Sequence, residues 1–400
     1  MKVGWKTKRL GEIGSAARES AQVFANTEYE LWSVPSFAND EPEISIGKDI
    51  GSAKLRVRPN DVLICKINPR INRVWLVRDP VNGRDQIAST EWLVFRINHD
   101  ADLLPSWLIH FVSAPKFREW IVSEVSGATG SHTRAKADGI LQQQIPVPPL
   151  PEQRRIVGIL DEAFDCIATA KANAEKNLQN TRALFEGYLQ SVFTQRVEGW
   201  VEKPLEAATS IINGFAFKSG DFSPNAAVKC IKITNVGVRE FVCESDNCLP
   251  SDFATKYGAA SIKSGSIVLA LTRTIISGGL KVAVVPEEYD GALLNQRVAA
   301  ILTRPNLLIA PFLFAYLSTQ SVVDYVKERV NTLMQPNLSI NDLRLMPVPL
   351  PPVHEQERIT EQISVLRNQT QRLESLYQRK LAALDELKKS LLHQAFSGAL

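Results

Sequence analysis

The stretch Pro149-Leu-Pro-Glu152-Gln153 opens a segment that runs to Phe193 with no further proline and with apolar residues at steps of three and four. The same arrangement returns downstream, where Pro352-Val-His-Glu355-Gln356 opens a segment that runs to Phe396. The two segments have the same length. Proline suits the first turn of a helix and disrupts its interior, so the pattern predicts two matched long helices.

The three- and four-residue steps predict a heptad seam, which is the contact face of a coiled coil. About 42 residues at ~1.5 Å each would give a rod of roughly 60 Å. Two ordinary amphipathic helices, each buried in its own domain, are the alternative, but globular helices average only ~11–12 residues. The expected seam residues are Leu160, Ala163, Ile167, Leu184 and Tyr188 in the first helix, and Ile363, Leu366, Leu373, Tyr377, Leu384, Leu387 and Leu391 in the second.

The bulk composition is that of a globular protein of two or three domains, with 400 residues and a formal net charge of only +3. We expect no signal peptide, because residues 1–8 do not begin an apolar stretch, and no membrane span, because no apolar run approaches ~20 residues. The five scattered cysteines form no C-x-x-C pair and favour free thiols in a reducing cytoplasm. The five histidines do not pair at ligand spacing, so we expect no structural metal site.

A globular region precedes each long helix, and the two regions repeat one plan. Trp200 to Leu205 echoes Trp5 to Leu10. Predicted strands at 62–67, 74–77 and 87–95 have counterparts at 266–273, 280–285 and 292–301. We therefore assign residues 1–147 and 197–348 to two repeated domains, and residues 148–196 and 349–400 to the long helices with their proline-rich approaches.

Taken in order, these features resemble the specificity subunit of type I restriction–modification systems. The resemblance rests on the doubled Pro-x-x-Glu-Gln, on the helix ends 189–193 and 392–398, and on 61–69 followed by 88–91. It implies an α+β fold in which two target-recognition domains are joined by two antiparallel coiled-coil helices with pseudo-two-fold symmetry. It also implies that each domain reads one half of a bipartite target in double-stranded DNA.

The resemblance implies partners as well. The helices would set the distance between the domains and dock two methyltransferase subunits together with restriction and translocase subunits. S-adenosylmethionine, ATP and Mg²⁺ would belong to those partners, and this chain would hold no cofactor of its own.

The residues expected to touch DNA are polar and basic groups near predicted strand ends. Arginine can pair with guanine and an amide with adenine, while lysine and the remaining arginines would neutralise phosphates. For any single residue, a solvated charge or a structural hydrogen bond is the alternative. The candidates are Lys66, Asn68, Arg70, Asn72, Arg73, Thr90, Arg134 and Lys136 in the first domain, and Thr272, Arg273, Asn295, Gln296, Arg297, Gln335 and Asn337 in the second.

No catalytic motif is recognisable in the chain. It contains no G-x-x-x-x-G-K-[ST] loop, and Asn68-Pro69-Arg70 lacks the aromatic residue with which amino-methyltransferases stack a flipped adenine. We therefore expect a DNA-binding specificity subunit without catalysis. Two alternatives remain: a coiled-coil scaffold that binds protein only, which the low net charge allows, and a self-contained methyltransferase or nuclease.

Overall fold

The computed structural model describes residues 4–123, 133–195, 199–224, 226–330 and 337–400. The chain divides into two compact units, of which unit 1 comprises Met1–Glu175 with Arg379–Leu400 and unit 2 comprises Lys176–Gln378. The helices are α1 (Leu10–Ile13), α2 (Pro105–Ser113), α3 (Pro115–Ser123), α4 (Ala137–Gln142), α5 (Leu150–Thr194), α6 (Leu205–Ala208), α7 (Phe253–Lys256), α8 (Ala310–Leu317), α9 (Gln320–Arg329), α10 (Ile340–Arg344) and α11 (Val353–Ser397). Each unit thus contains one globular region and part of both long helices, and the domain boundaries assigned from the sequence stay a prediction.

Unit 1 contains two four-stranded sheets and one two-stranded ribbon. Its strands are β1 (Lys6–Arg9), β2 (Gly14–Ala17), β3 (Glu28–Trp32), β4 (Glu43–Ile46), β5 (Lys54–Arg56), β6 (Val62–Cys65), β7 (Val74–Leu76), β8 (Asp85–Ser89), β9 (Trp92–Ile97) and β10 (Gln144–Val147). The antiparallel sheet has the order β2-β9-β6-β7, the mixed sheet has the order β4-β3-β8-β5, and β1 pairs with β10. All four residues of β6 are buried, as expected for the inner strand of a sheet that is covered on both faces.

Unit 2 repeats the antiparallel sheet and the ribbon. Its strands are β11 (Val201–Pro204), β12 (Thr209–Asn213), β13 (Val228–Ile231), β14 (Cys248–Leu249), β15 (Ile267–Ala270), β16 (Ile275–Ile276), β17 (Gly279–Leu280), β18 (Val282–Val284), β19 (Leu293–Leu294), β20 (Val298–Thr303) and β21 (Pro347–Leu350). The order β12-β20-β15-β18 matches that of β2-β9-β6-β7, and β11 pairs with β21 as β1 pairs with β10. The second sheet, β14-β13-β19, has one strand fewer than its counterpart in unit 1.

Two strands predicted as continuous are each broken in the structure. The predicted strand 87–95 is β8 and β9, which belong to different sheets and are separated by Thr90 and Glu91. The predicted strand 292–301 is β19 and β20, with residues 295–297 between them. Polar residues interrupt both apolar runs at the point where the chain passes from one sheet to the other. This break places the polar side chains at a junction rather than inside a strand.

The repeated glutamine after the proline-rich approach is buried in both copies. Gln153 accepts a hydrogen bond from the Leu104 amide at 2.9 Å and donates to the carbonyl oxygens of Asp102 and Pro148, both at 2.8 Å. Gln356 makes the same three bonds with Ile309, Leu307 and Pro351. The glutamine therefore ties the first turn of each long helix to the loop before α2 or α8. This pair of anchors also sets the register for comparing the two units.

The two long helices run antiparallel to each other within each unit. In unit 1, Leu392 and Ala395 of α11 join Leu160 of α5 in the core below α2, and Leu189 and Ile363 take the corresponding places in unit 2. Polar contacts fix the direction: they join Arg155 to Leu400 and Lys171 to Asp385 in unit 1, and Tyr188 to Gln362 and Arg182 to Glu374 in unit 2. The predicted fold class, a mixed α+β chain of two repeated domains with two long helices, is confirmed.

The two lines of residues in the predicted seam differ in burial. Along α5, the residues at seven-residue steps from Leu160 through Ile167 to Tyr188 are buried or half-buried. Along α11, Ile363, Tyr377, Leu384 and Leu391 are buried or half-buried as well. In the line three residues further on, Ala163 and Leu366 are half-buried. Leu184, Leu373 and Leu387 are 58%, 42% and 47% exposed, and their place in the seam stays a prediction. The buried contact therefore follows the single seven-residue line through Leu160, and the second line lies at its solvent-facing side.

Candidate nucleic-acid interface

Three segments of unit 1 meet where β6 ends. The Lys66 amide donates to the Glu91 carbonyl at 3.0 Å, and the Ala135 amide donates to the Lys66 carbonyl at 2.9 Å. The Asn68 amide donates to Thr133, and Ile67 forms an isolated bridge with Arg134. The junction therefore gathers the predicted residues Lys66, Asn68 and Arg134, with Thr90 beside Glu91.

Charged groups of both signs occupy this junction. The Arg134 guanidinium lies 2.6 Å from a Glu91 carboxylate oxygen, but the arginine side chain is 65% exposed and such a pair is weak. Partial burial lowers the pKa of Lys66, Glu91 raises it, and Arg134 and Arg18 lower it further. Arg134 is therefore free to exchange Glu91 for a phosphate or a base edge, because the exposed ion pair costs little to break.

Unit 2 builds the equivalent junction where β15 ends. The Leu271 amide donates to the Arg297 carbonyl at 2.8 Å, and the Leu338 amide donates to the Leu271 carbonyl at 2.9 Å. Thr272 forms a bridge with Asn337, as Ile67 does with Arg134. The predicted residues Thr272, Arg273, Asn295, Gln296, Arg297 and Asn337 thus lie around one strand end.

The two junctions share a backbone frame but carry different side chains. Asn68 and Arg273 follow equivalent strand ends, and both have a positive φ, 44° and 49°. Such values are uncommon for residues other than glycine. Glu91 in unit 1 corresponds to Arg297 in unit 2, and Arg134 corresponds to Asn337. The same frame therefore presents opposite charge at one position and a different hydrogen-bonding group at another.

The remaining predicted residues of unit 1 divide between structure and surface. The Asn72 side chain donates to the Val112 carbonyl at 2.8 Å, so this amide supports the fold. Arg73 is half-buried beside Cys65, and burial raises the pKa of that thiol. Arg70 and Lys136 are exposed. Gln335, predicted for unit 2, lies outside the described residues.

Two junction residues were missed from the sequence. Glu91 was read only as part of a motif, yet it pairs with Arg134. Phe215 is 44% exposed and lies against residues 294–296, since its amide donates to Leu294 and its carbonyl accepts from Gln296. A Cβ on Gly214 would fall 2.1 Å from the Asn295 carbonyl oxygen. A glycine beside an aromatic residue at a strand end was the available signal for this close approach.

The described residues offer neither a metal site nor a helix that could cross a membrane. They contain no group of three or more histidine, cysteine or acidic residues arranged to hold a metal ion. Among the described helices, including α5 and α11, none combines the length and the apolar character that crossing a bilayer requires.

Comparison with known proteins agrees with the repeated architecture. Residues 2–180 and 198–381 each match the family described as the type I restriction modification DNA specificity domain. The chain belongs to this family. The double match confirms the resemblance seen in the sequence, because each copy covers one globular region and most of the long helix that follows it.

Individual relatives are distant. The chain is 29% identical over 272 residues to the type I restriction enzyme MjaVIII specificity subunit of Methanocaldococcus jannaschii, covering 64% of this chain and 62% of the relative. It is 21% identical over 310 residues to the EcoBI specificity subunit of Escherichia coli, covering 72% and 64%. The matches therefore span less than two thirds of the length of these relatives.

Solved structures show the same fold across the whole chain. One chain, from a structure described as the basis of complex assembly and conformational transition of the type I R-M system, superposes with a TM-score of 0.81 at 21% identity, covering 100% of this chain and 99% of that one. The HsdS subunit from Thermoanaerobacter tengcongensis has a TM-score of 0.63 at 21% identity, covering 100% and 98%. At this identity the similarity establishes the fold alone.

Proposed function

We propose that the chain is the DNA sequence-specificity subunit of a type I restriction–modification complex, and that each unit reads one half of a bipartite target in double-stranded DNA. The observation that carries the proposal is the repeated junction at the ends of β6 and β15. Two main-chain hydrogen bonds and one bridge recur in both units, while Glu91 and Arg134 are replaced by Arg297 and Asn337. A repeated frame with exchanged polar groups suits two half-sites of different sequence.

The exposed side chains at each junction have the chemistry of base and phosphate contacts. The Arg297 guanidinium has no hydrogen bond or ion pair within the described part of the chain, and its fork of donors matches the two acceptors of guanine. Amides such as Gln296 and Asn337 match adenine. Lys66, Arg134 and Lys136 are suited to phosphates, whose contacts position a protein on DNA.

The long helices would hold the units at the spacing of the two half-sites and dock the partner subunits. Exposed apolar side chains on both helices support docking, and Leu184 and Leu387 occupy equivalent positions at 58% and 47% exposure. The partners would be two methyltransferase subunits with restriction and translocase subunits, which would carry S-adenosylmethionine, ATP and Mg²⁺. This chain would contribute no catalytic group. The assembly would act in the cytoplasm, where five unpaired cysteines are stable.

A scaffold that binds only protein is the second candidate. The exposed leucines of α5 and α11 favour it, as does the net charge of +3, which gives little general attraction to DNA. The two candidates differ in salt dependence. A subunit that contacts several phosphates loses DNA affinity steeply as salt rises, because each contact releases counterions.

The deciding experiment expresses the chain together with its candidate methyltransferase and maps methylated bases by single-molecule sequencing. We expect a split motif, with two short specific halves around an unread gap of fixed length. Cells that express the methyltransferase without this chain are the control and should lack the motif. Unmethylated DNA, in cells from which the assembled complex is recovered, would contradict the proposal and favour the scaffold.

A further inference from the structure

Unit 2 contains an apolar cavity of about 370 Å³, and none of the residues that line it belongs to the junction at the end of β15. It lies between α8 and the portions of α5 and α11 that belong to this unit, and its volume is in the range of small-molecule sites. Phe185 and Leu189 of α5, Pro311 and Phe314 of α8 and Ile363 of α11 form most of its wall. Two phenylalanines in this wall, Phe185 and Phe314, suit a flat aromatic group.

One cation at this cavity lacks a partner. The Arg367 guanidinium lines the cavity and is half-buried, and it makes no hydrogen bond or ion pair within the described residues. Arg239 also lines the cavity, but it donates to both carboxylate oxygens of Glu186 and to the Ser318 carbonyl. Burial lowers the pKa of Arg367, the charge of Arg239 lowers it further, and the nearby carboxylate of Glu186 raises it in part. An anion beside Arg367 would therefore give this guanidinium the direct hydrogen-bonding partner that it lacks within the described residues.

In unit 1, side chains of the protein occupy the position that corresponds to this cavity. The glutamine anchors align Leu104 with Ile309, and the serine bonds from Ser113 to Ile109 and from Ser318 to Phe314 repeat along α2 and α8. This register puts His110 at the position of Ala315. Counting from the same anchors along the long helices puts Asp161 at the position of Ser364 and Phe164 at the position of Arg367.

The side chains that occupy the corresponding space in unit 1 contact one another. His110 Nε2 lies 2.8 Å from Asp161 Oδ1, and its ring packs edge-on against Phe164 with centroids 5.5 Å apart. The Lys388 ammonium sits 4.7 Å from the centre of the Phe164 ring. In unit 2 the ring of His110 is reduced to Ala315 and the carboxylate of Asp161 to the hydroxyl of Ser364, whereas a cation, Arg367, has been gained.

We propose that the cavity of unit 2 binds a small aromatic carboxylate, whose ring takes the space that His110 occupies in unit 1 and whose carboxylate pairs with Arg367. The ring would pack between Phe185 and Phe314 above Ala315. The carboxylate would meet the guanidinium at the edge of an apolar site, where a charge-assisted hydrogen bond is strong. The ligand is either a free aromatic acid or the C-terminal aromatic residue of another protein chain, since both carry this chemistry.

The test titrates the whole chain with sodium phenylacetate and, separately, with N-acetyl-L-phenylalanine, and follows binding by calorimetry and ligand-detected NMR. For a ligand of this size we expect a Kd on the order of 1 mM. Tighter binding of N-acetyl-L-phenylalanine would identify a chain terminus as the source, and tighter binding of phenylacetate would identify a free acid. Phenylacetamide, which keeps the ring but lacks the charge, should bind at least about tenfold more weakly.

Two variants locate the site. Arg367→Gln should weaken phenylacetate binding by about tenfold or more, because the charged partner is lost. Ala315→His should abolish binding by filling the cavity as in unit 1. Arg358→Gln is the matched control, since this exposed arginine lies on the same helix outside the cavity and should leave the Kd unchanged. Absent binding of both acids, equal binding of phenylacetamide, or full binding by Arg367→Gln would each overturn the proposal.

Discussion

Gln153 and Gln356 show how one polar side chain can attach a long helix to a globular region. Each satisfies one amide and two carbonyl groups in the loop and the proline-rich approach, where few backbone partners are present. The repeated Glu-Gln pair was read from the sequence as a mark of the helix start. Its glutamine is a structural residue, and its glutamate pairs locally with an arginine three residues on.

Replacing Gln153 with leucine should destabilise unit 1. The Leu104 amide and the carbonyls of Asp102 and Pro148 would lose their partner, and we expect a loss of about 2–4 kcal/mol in the free energy of unfolding. Urea unfolding followed by tryptophan fluorescence measures the change. Gln179→Leu, at an exposed position of the same helix, is the control and should stay within about 0.5 kcal/mol. Equal stability of the two variants would show that the buried bonds contribute little.

Arg297 is the residue of unit 2 whose substitution should change base preference most directly. Arg297→Ala should relax one position of one half-site at a cost of about 1–3 kcal/mol, because a bidentate contact with a base would be lost. The measurement is the methylation motif together with competition binding of substituted DNA duplexes. Arg372→Ala, an exposed arginine of α11, is the control. Equal weakening on all sequences, with a shallower salt slope, would instead identify a phosphate contact.

At the scale of elements, the positions of strands β6 to β9 could be predicted from the sequence, but the second sheet of unit 1 and the junctions could not. The apolar run at 87–95 correctly marks β8 and β9, yet the change of sheet at Thr90 depends on long-range pairing of β8 with β3 and of β9 with β6. The junction is made by that pairing. Lys66 and Arg134 could therefore be predicted as candidate contact residues, but their contacts with Glu91 could not. Phe215 was missed for the same reason.

The helix seam illustrates the same limit. The heptad line through Leu160 and Ile167 continues into Ala174 and Thr181, which are 1% and 7% exposed, although neither is strongly apolar. Thr181 satisfies its hydroxyl on the Asn177 carbonyl of its own helix, so it can be buried without a partner across the interface. Apolar periodicity places Ala174, Thr181 and Leu184 on one pattern, but it does not show that the first two are buried while Leu184 is 58% exposed.

Ala174→Leu should therefore lower the stability of the protein, although it replaces one apolar residue with another. The added side chain has no space at a position that is 1% exposed, and overpacking should cost about 1–3 kcal/mol. Ala172→Leu, two residues away and exposed, is the matched control and should change stability by no more than about 0.5 kcal/mol. Thermal unfolding followed by circular dichroism compares the two variants. An unchanged melting temperature for Ala174→Leu would mean that this part of α5 is loosely packed.

At the scale of the whole molecule, each unit draws its core from distant parts of the chain. In unit 1, Phe396 near the end of α11 packs against Trp107 and Phe111 of α2, with ring centroids 4.8 and 5.3 Å apart. The globular region of residues 1–147 is therefore not closed on itself, because its core includes side chains from the last turns of the chain. A domain transferred into this position must offer the same aromatic surface to Phe396.

A chimera can replace residues 1–147 with the first domain of a related subunit that keeps aromatic residues at the positions of Trp107 and Phe111. We expect this exchange to change only one half of the methylated motif. The second half and the unread gap should persist, because the junction at β15 and both long helices remain. Methylation mapping of the chimera in complex with the methyltransferase reads both halves at once. A second chimera without these aromatic residues should lose unit 1 stability, since Phe396 would be left without its ring contacts. A change in both half-sites of a well-folded chimera would mean that the two units do not read DNA independently, and the repeated junctions would then need to be treated as one composite surface.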